Sequence, residues 1–103
     1  GSDTANTFTP TADTADLNIK NNTQATGTLT IDTPGGTPTD GQKLTYRIKC
    51  TNVQTYSFNA IYRGGTLPLA TNCGSTTLKT DYLGFIYNSA DSKWDFVSYA
   101  TGY

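Results

Sequence analysis

The strongest constraint on this chain is the stretch Tyr82-Leu-Gly-Phe-Ile-Tyr-Asn-Ser-Ala-Asp-Ser-Lys-Trp-Asp-Phe-Val-Ser-Tyr99. Two aromatic-rich runs, Tyr82–Tyr87 and Lys93–Tyr99, flank the turn formers of Asn88–Ser92. Aromatic and β-branched residues fit a pleated surface, whereas Asn, Asp and Ser bond their own backbone in turns, so the stretch reads as a β-hairpin. A second segment points the same way. In Lys43–Cys50, Leu44, Tyr46, Ile48 and Cys50 fall on one face and Lys43, Thr45, Arg47 and Lys49 on the other. Charged side chains are rarely buried, so the basic row reads as the solvated outer face of a sheet.

No stretch repeats its apolar residues at 3.6-residue spacing, and good helix formers are few. Thr supplies about one residue in five, and Glu, Met and His are absent. The expected fold is therefore all-β: a single antiparallel β-sandwich, jelly-roll-like, with no helix beyond two turns. Leu44, Tyr46, Ile48, Phe58, Leu83, Phe85, Trp94 and Phe96 are its predicted core. Residues 1–16 read as a remnant of tag removal (Gly1-Ser2) followed by a Thr-rich arm, and residues 17–103 as the β domain. Alternation in Leu17–Ile19, Gly27–Thr33 and Thr55–Arg63, with a short strand at Thr76–Lys79, supplies the remaining strands; Pro34–Gly41 is a dense cluster of breakers and reads as a loop.

The formal net charge is -1. With no large basic patch, a nucleic-acid backbone is a poor partner, and no apolar run is long enough to span a membrane as a helix. Chemistry-bearing motifs are scarce, and neither a catalytic residue, a metal site nor a cofactor is expected. Asp81, Asp91 and Asp95 lie near one another in sequence, but Asp is at home at strand ends and turns. A Ser or Cys nucleophile would lack a His base, and two cysteines without His make no zinc site alone. Cys50 and Cys73 are even in number and able to pair; two free thiols, one in the core and one in a loop, is the reading a reducing cytosol favours, and both stay open.

From Thr33 onward the segments Thr33–Leu44, Tyr46–Lys49, Phe58-Asn-Ala-Ile-Tyr-Arg63, Leu67–Leu69 and Leu83–Asp95 occur in an order that resembles a recurrent β domain of tailed-bacteriophage virion proteins. The resemblance covers about two-thirds of the chain. It implies a non-enzymatic module of a tail fibre, spike or head appendage, acting in host attachment or particle stabilisation. It also implies a homotrimer that works in the virion outside the host cell, with a bacterial surface glycan or other virion proteins as partners. A carbohydrate-binding module of a secreted or cell-surface protein is the alternative, and a depolymerase fragment a third.

The chain departs from the family pattern at Cys50–Gln54 and in the Leu67–Ser75 loop, and binding specificity usually resides in loops. The expected ligand contact is thus the loop edge carrying Tyr56, Tyr62, Arg63 and Asn72. Tyr offers a flat ring with a hydroxyl, Arg and Asn donate hydrogen bonds, and Gly64-Gly65 leaves room for close approach. The same residues also read as an ordinary polar rim, in which case the sheet face bearing Arg47 and Lys49 is the next place for a ligand.

Overall fold

The computed structural model describes residues 7–13, 16–73 and 78–103. Among these there is no helix; eight strands form two packed sheets. They are β1 (Thr7–Phe8), β2 (Leu17–Asn22), β3 (Gly27–Ile31), β4 (Lys43–Cys50), β5 (Gln54–Phe58), β6 (Tyr62–Arg63), β7 (Lys79–Asn88) and β8 (Lys93–Ala100). One sheet has the order β1-β3-β5, the other β2-β4-β7-β8-β6.

Successive strands from β1 to β6 alternate between the two sheets. The chain crosses from one layer to the other at residues 23–26 and again at 51–53, and each return lands it beside the strand before last in the same direction. β1, β3 and β5 are therefore parallel to one another, and so are β2 and β4. Among the described strands the antiparallel pairs are those of β7, with β4 on one side and β8 on the other. β6 then adds parallel to β8 at the edge. The expectation of an antiparallel, jelly-roll-like sandwich is corrected here: the class is all-β with two packed sheets, but the pairing is mixed. Alternation of side chains tells which face of a strand is buried; it carries no information about the direction of the neighbour.

Between the sheets lies one apolar core. Leu44, Tyr46, Ile48, Leu83, Phe85, Trp94 and Phe96 are buried in it, and Phe58 packs against it half-covered. Phe85 is its hub, with ring centroids 5.1 Å from Tyr46, 5.0 Å from Tyr62 and 5.2 Å from Phe96. Such tilted ring pairs contribute beyond their area. The described part of the stretch read as an arm lies against this core: Phe8 is buried, Phe8 and Tyr46 meet edge to face at 5.4 Å, and Ala12 and Gly35 exchange a backbone hydrogen bond of 2.8 Å. Gly1-Ser2 lies outside the described residues, as do Thr76 and Thr77 of the expected strand at Thr76–Lys79, whose last residue opens β7.

β2 is built inside out. Its inward positions are Asn18, Lys20 and Asn22, while Leu17 and Ile19 face solvent at 42% and 47% exposure. The inward amides have a structural task. Asn18 accepts from the Thr11 backbone N–H at 2.9 Å and donates to the Thr11 carbonyl at 3.1 Å, so it serves a segment that crosses the end of the sandwich outside any ladder.

Trp94 is 1% exposed and packs on Tyr87 at 5.0 Å. Trp94→Ala should cost about 3–5 kcal/mol, read as a lower urea midpoint with an unchanged slope. A loss below about 1 kcal/mol would place the ring at the surface instead.

Candidate functional site

The four residues expected at a ligand-binding loop edge do not form one surface. Tyr56 sits mid-strand in β5 with its ring between the sheets, and Tyr62, which opens β6, is only 4% exposed. Both expectations of an exposed ring are corrected. Tyr56 alternates in phase with Phe58, and the turn at Asn59–Ile61 reverses the chain so that Tyr62 comes into register with Trp94.

Their hydroxyls are committed to the fold. The Tyr62 hydroxyl donates to the Asp32 carbonyl at 2.6 Å, which uses its only proton, so the Tyr46 hydroxyl must donate to Tyr62 across their 2.8 Å separation. This relay runs from the middle of one sheet to the end of β3 in the other. The Tyr56 hydroxyl donates to Asp81 Oδ2 at 2.7 Å and makes a second bridge between the sheets. Thr101 donates to the other oxygen of Asp81, whose side chain is fully buried.

Arg63 and Asn72 do lie at the surface. Arg63 is engaged there by two carboxylates, with Nε 2.8 Å from Asp95 and Nη2 3.0 Å from Asp91. These hydrogen bonds, Asp95's first, raise the guanidinium's pKa above its ordinary value. Asn72 pairs with Thr55 in an isolated bridge and is exposed. The Gly64-Gly65 pair reads differently as well. A Cβ on Gly64 would stand 2.7 Å from the Leu69 backbone nitrogen, so the close approach that Gly64 permits is to the chain's own 67–69 segment. A shallow depression of about 270 Å³ does open beside Gly65, lined also by Arg63, Asp95 and Phe96.

The three acids near one another in sequence therefore divide. Asp81 is sealed in the core, and Asp91 and Asp95 close on one guanidinium. A general acid needs apolar surroundings that keep its proton, the reverse of an Arg ion pair. Among the described residues, no three His, Cys, Asp or Glu side chains gather as metal ligands, and no helix is long and apolar enough to cross a membrane.

Cys50 and Cys73 form a disulfide, with Cα atoms 6.2 Å apart and both side chains buried. It ties the end of β4 in one sheet to the segment beside β5 in the other, where the Cys73 N–H also donates to the Gln54 carbonyl at 2.8 Å. Gln54, itself buried, donates to the carbonyls of Gln24, Ala25 and Asn52, and its own oxygen accepts from Gln24 at 2.7 Å. One side chain thus pins two of the crossings between the sheets, those at 23–26 and 51–53. The Cys50–Gln54 segment is a clamp within the fold.

The outer face of the five-stranded sheet is also open to a ligand. Its outward row along β4 is Lys43, Thr45, Arg47 and Lys49, and the three cations make no ion pair among the described residues. Across the sheet, Arg47 stands in register with Ile19 of β2 and Tyr82 of β7. Tyr103 meets the Tyr82 ring edge-on at 5.6 Å. The sequence carried part of this signal in the i, i+2 spacing of the cations; the exposed Leu17 and Ile19 were hidden because their alternation fits burial equally well.

A scan against protein-family models finds no match to this chain, and comparisons with curated proteins and with solved structures find none either.

Burial pushes the phenols of Tyr46, Tyr56 and Tyr62 well above their ordinary pKa of about 10. In the unfolded chain they ionise near pH 10, while in the fold they keep their protons. The stability this supplies is fully present below about pH 10 and lost as the pH rises further, by about 1.4 kcal/mol per phenol per pH unit. Urea unfolding between pH 8 and 11.5 should show a flat profile and then this steep fall. Tyr56→Phe should make the fall shallower and cost about 1–3 kcal/mol at neutral pH, because Asp81 loses a donor.

Proposed function

We propose that this chain is a non-enzymatic module of a tailed-bacteriophage virion, carried by a fibre, spike or head appendage, that contacts the host surface or stabilises the particle. The observation that carries the reading is where the chemistry-bearing side chains have gone. Asp81, Tyr56 and Tyr62 are engaged inside the fold and Arg63 is held at its surface by two carboxylates, while a flat sheet face with cations and apolar side chains faces solvent. That division suits a rigid surface presented to another surface better than it suits a cleft for catalysis. The ordered resemblance from Thr33 to Asp95 points to the virion.

In this reading the module is a homotrimer. Leu17 and Ile19 are exposed on β2, an edge strand that pairs only with β4. Apolar side chains on an open edge invite a neighbour, and a small β domain gains stability by burying them. A neighbouring protomer on β2 would cover both.

A second reading, a carbohydrate-binding module of a secreted or cell-surface protein, is favoured by the Cys50–Cys73 disulfide. Disulfides persist in oxidising compartments and are rare in the cytosol where virions assemble. Both readings give the outer sheet face the same task.

Sedimentation at micromolar concentration should give three times the 11.0 kDa chain mass, and Leu17→Asp with Ile19→Asp should give a folded monomer. Removing the domain from a phage that encodes it should leave particles that adsorb more slowly or fall apart sooner. A monomeric wild-type domain contradicts the trimer, and unaffected particles contradict the virion role.

A further inference from the structure

The basic row of β4 is bounded by two depressions in the outer sheet face. The first, about 200 Å³, is lined by Lys43, Thr45, Ile86, Val97 and Ser98 with Gly84 at its floor. The second, about 300 Å³, is lined by Lys49, Asn21, Thr23, Thr51 and Leu78. Arg47 lies between them, and Lys43 to Lys49 spans roughly 20 Å at the rise of an extended strand.

The first depression is built into the sheet. β8 carries one residue more than β7 between the pairs Gly84↔Ser98 and Phe85↔Phe96, so Val97 bulges out and is 50% exposed. Bulges re-aim side chains and recur at functional sites. Gly84 makes room for the bulged strand: a Cβ there would lie 2.1 Å from the Ser98 hydroxyl oxygen, which occupies that space. The resulting surface holds hydroxyls from Thr45 and Ser98, apolar contact from Ile86 and Val97, and a cation at its rim.

Charge selects the ligand. Along the outward row of the strands, the one carboxylate is Asp95, and Arg63 holds it. Lys43, Arg47 and Lys49 are thus left uncompensated on a protein whose overall charge is -1. Three cations are few for a nucleic-acid backbone, and hydroxyl-lined hollows fit sugar rather than lipid.

We propose that this face binds a linear carboxylate-bearing polysaccharide laid along β4, with one sugar seated in each depression and Arg47 pairing a carboxylate between them. The proposal rests on the reading of this domain as a surface-binding module and names its ligand class. Arg47 suits the task because its planar guanidinium matches a carboxylate with two parallel hydrogen bonds.

The test is calorimetric titration of the whole domain with oligogalacturonate at low ionic strength, with neutral dextran, dextran sulfate and anionic phospholipid vesicles alongside. Binding to oligogalacturonate is expected, with none to dextran. Lys43→Ala, Arg47→Ala and Lys49→Ala should each weaken it roughly tenfold. Val97→Asp, which sets a carboxylate in the first depression, should weaken it at least as much, whereas Asn72→Ala, at an exposed residue that lines neither depression, should leave it unchanged. Retained melting temperatures establish that the variants fold. The proposal is overturned by no binding, by equal affinity for dextran sulfate, by vesicle binding in place of sugar binding, or by indifference to the four weakening variants. Adsorption to bacterial cells by a domain that ignores oligogalacturonate would overturn this ligand while leaving the attachment reading standing.

Discussion

The structure depends on how its two sheets are held face to face. Alternating strands build a layer of three parallel strands and one of five mixed strands, and each must bury its inner face on the other. Aromatic packing around Phe85 supplies the area. The direction and spacing come from cross-sheet ties: the Tyr46–Tyr62–Asp32 hydroxyl relay, the Tyr56–Asp81 hydrogen bond and the Cys50–Cys73 disulfide. Among the described residues, no buried side-chain nitrogen or oxygen is left without a partner. A polar group between apolar sheets costs free energy unless bonded, so these ties fix one arrangement where apolar packing alone would tolerate several. Closing a loop of 23 residues, the disulfide adds about 3 kcal/mol in the chain-entropy account.

The same ties explain the distribution of chemistry. Tyrosine, aspartate and arginine are the residues one would search for a site, and here Tyr46, Tyr56, Tyr62 and Asp81 join the layers while Arg63, Asp91 and Asp95 close the β6–β8 edge. The sheet face left over is flat, carries cations in a row and is interrupted by two hollows, one of them at the Val97 bulge. Function in such a molecule is a matter of what lies against a sheet face.

How much of this was legible in the sequence follows from what alternation encodes. The hairpin from Tyr82 to Tyr99, the two faces of Lys43–Cys50 and the core list were readable because strand period and burial coincide there. Strand direction was not, since a strand looks the same beside a parallel or an antiparallel neighbour. Tyr56 and Tyr62 were misplaced because a tyrosine near Gly64-Gly65 resembles a loop platform, while the hydroxyl partners that make burial affordable, Asp81 and the Asp32 carbonyl, lie 25 and 30 residues away. β2 was the hardest case. Leu-Asn-Ile-Lys-Asn-Asn suggests apolar-in, whereas the inward Asn18, Lys20 and Asn22 find polar partners at Thr11, Thr7 and Gln24 that the sequence pattern does not reveal. The basic row kept its reading as a solvated face, and with the loop edge taken up by the fold it became the place to look for a ligand.

Amide chemical-shift mapping of the isotope-labelled domain during titration with an acidic oligosaccharide tests this account most directly. Shifts should concentrate on Lys43–Lys49, Gly84, Ile86, Val97 and Ser98, with Arg63–Asn72 unmoved. Shifts centred on Arg63, Gly65 and Asn72, with the β4 amides silent, would contradict it and restore the loop edge as the binding surface.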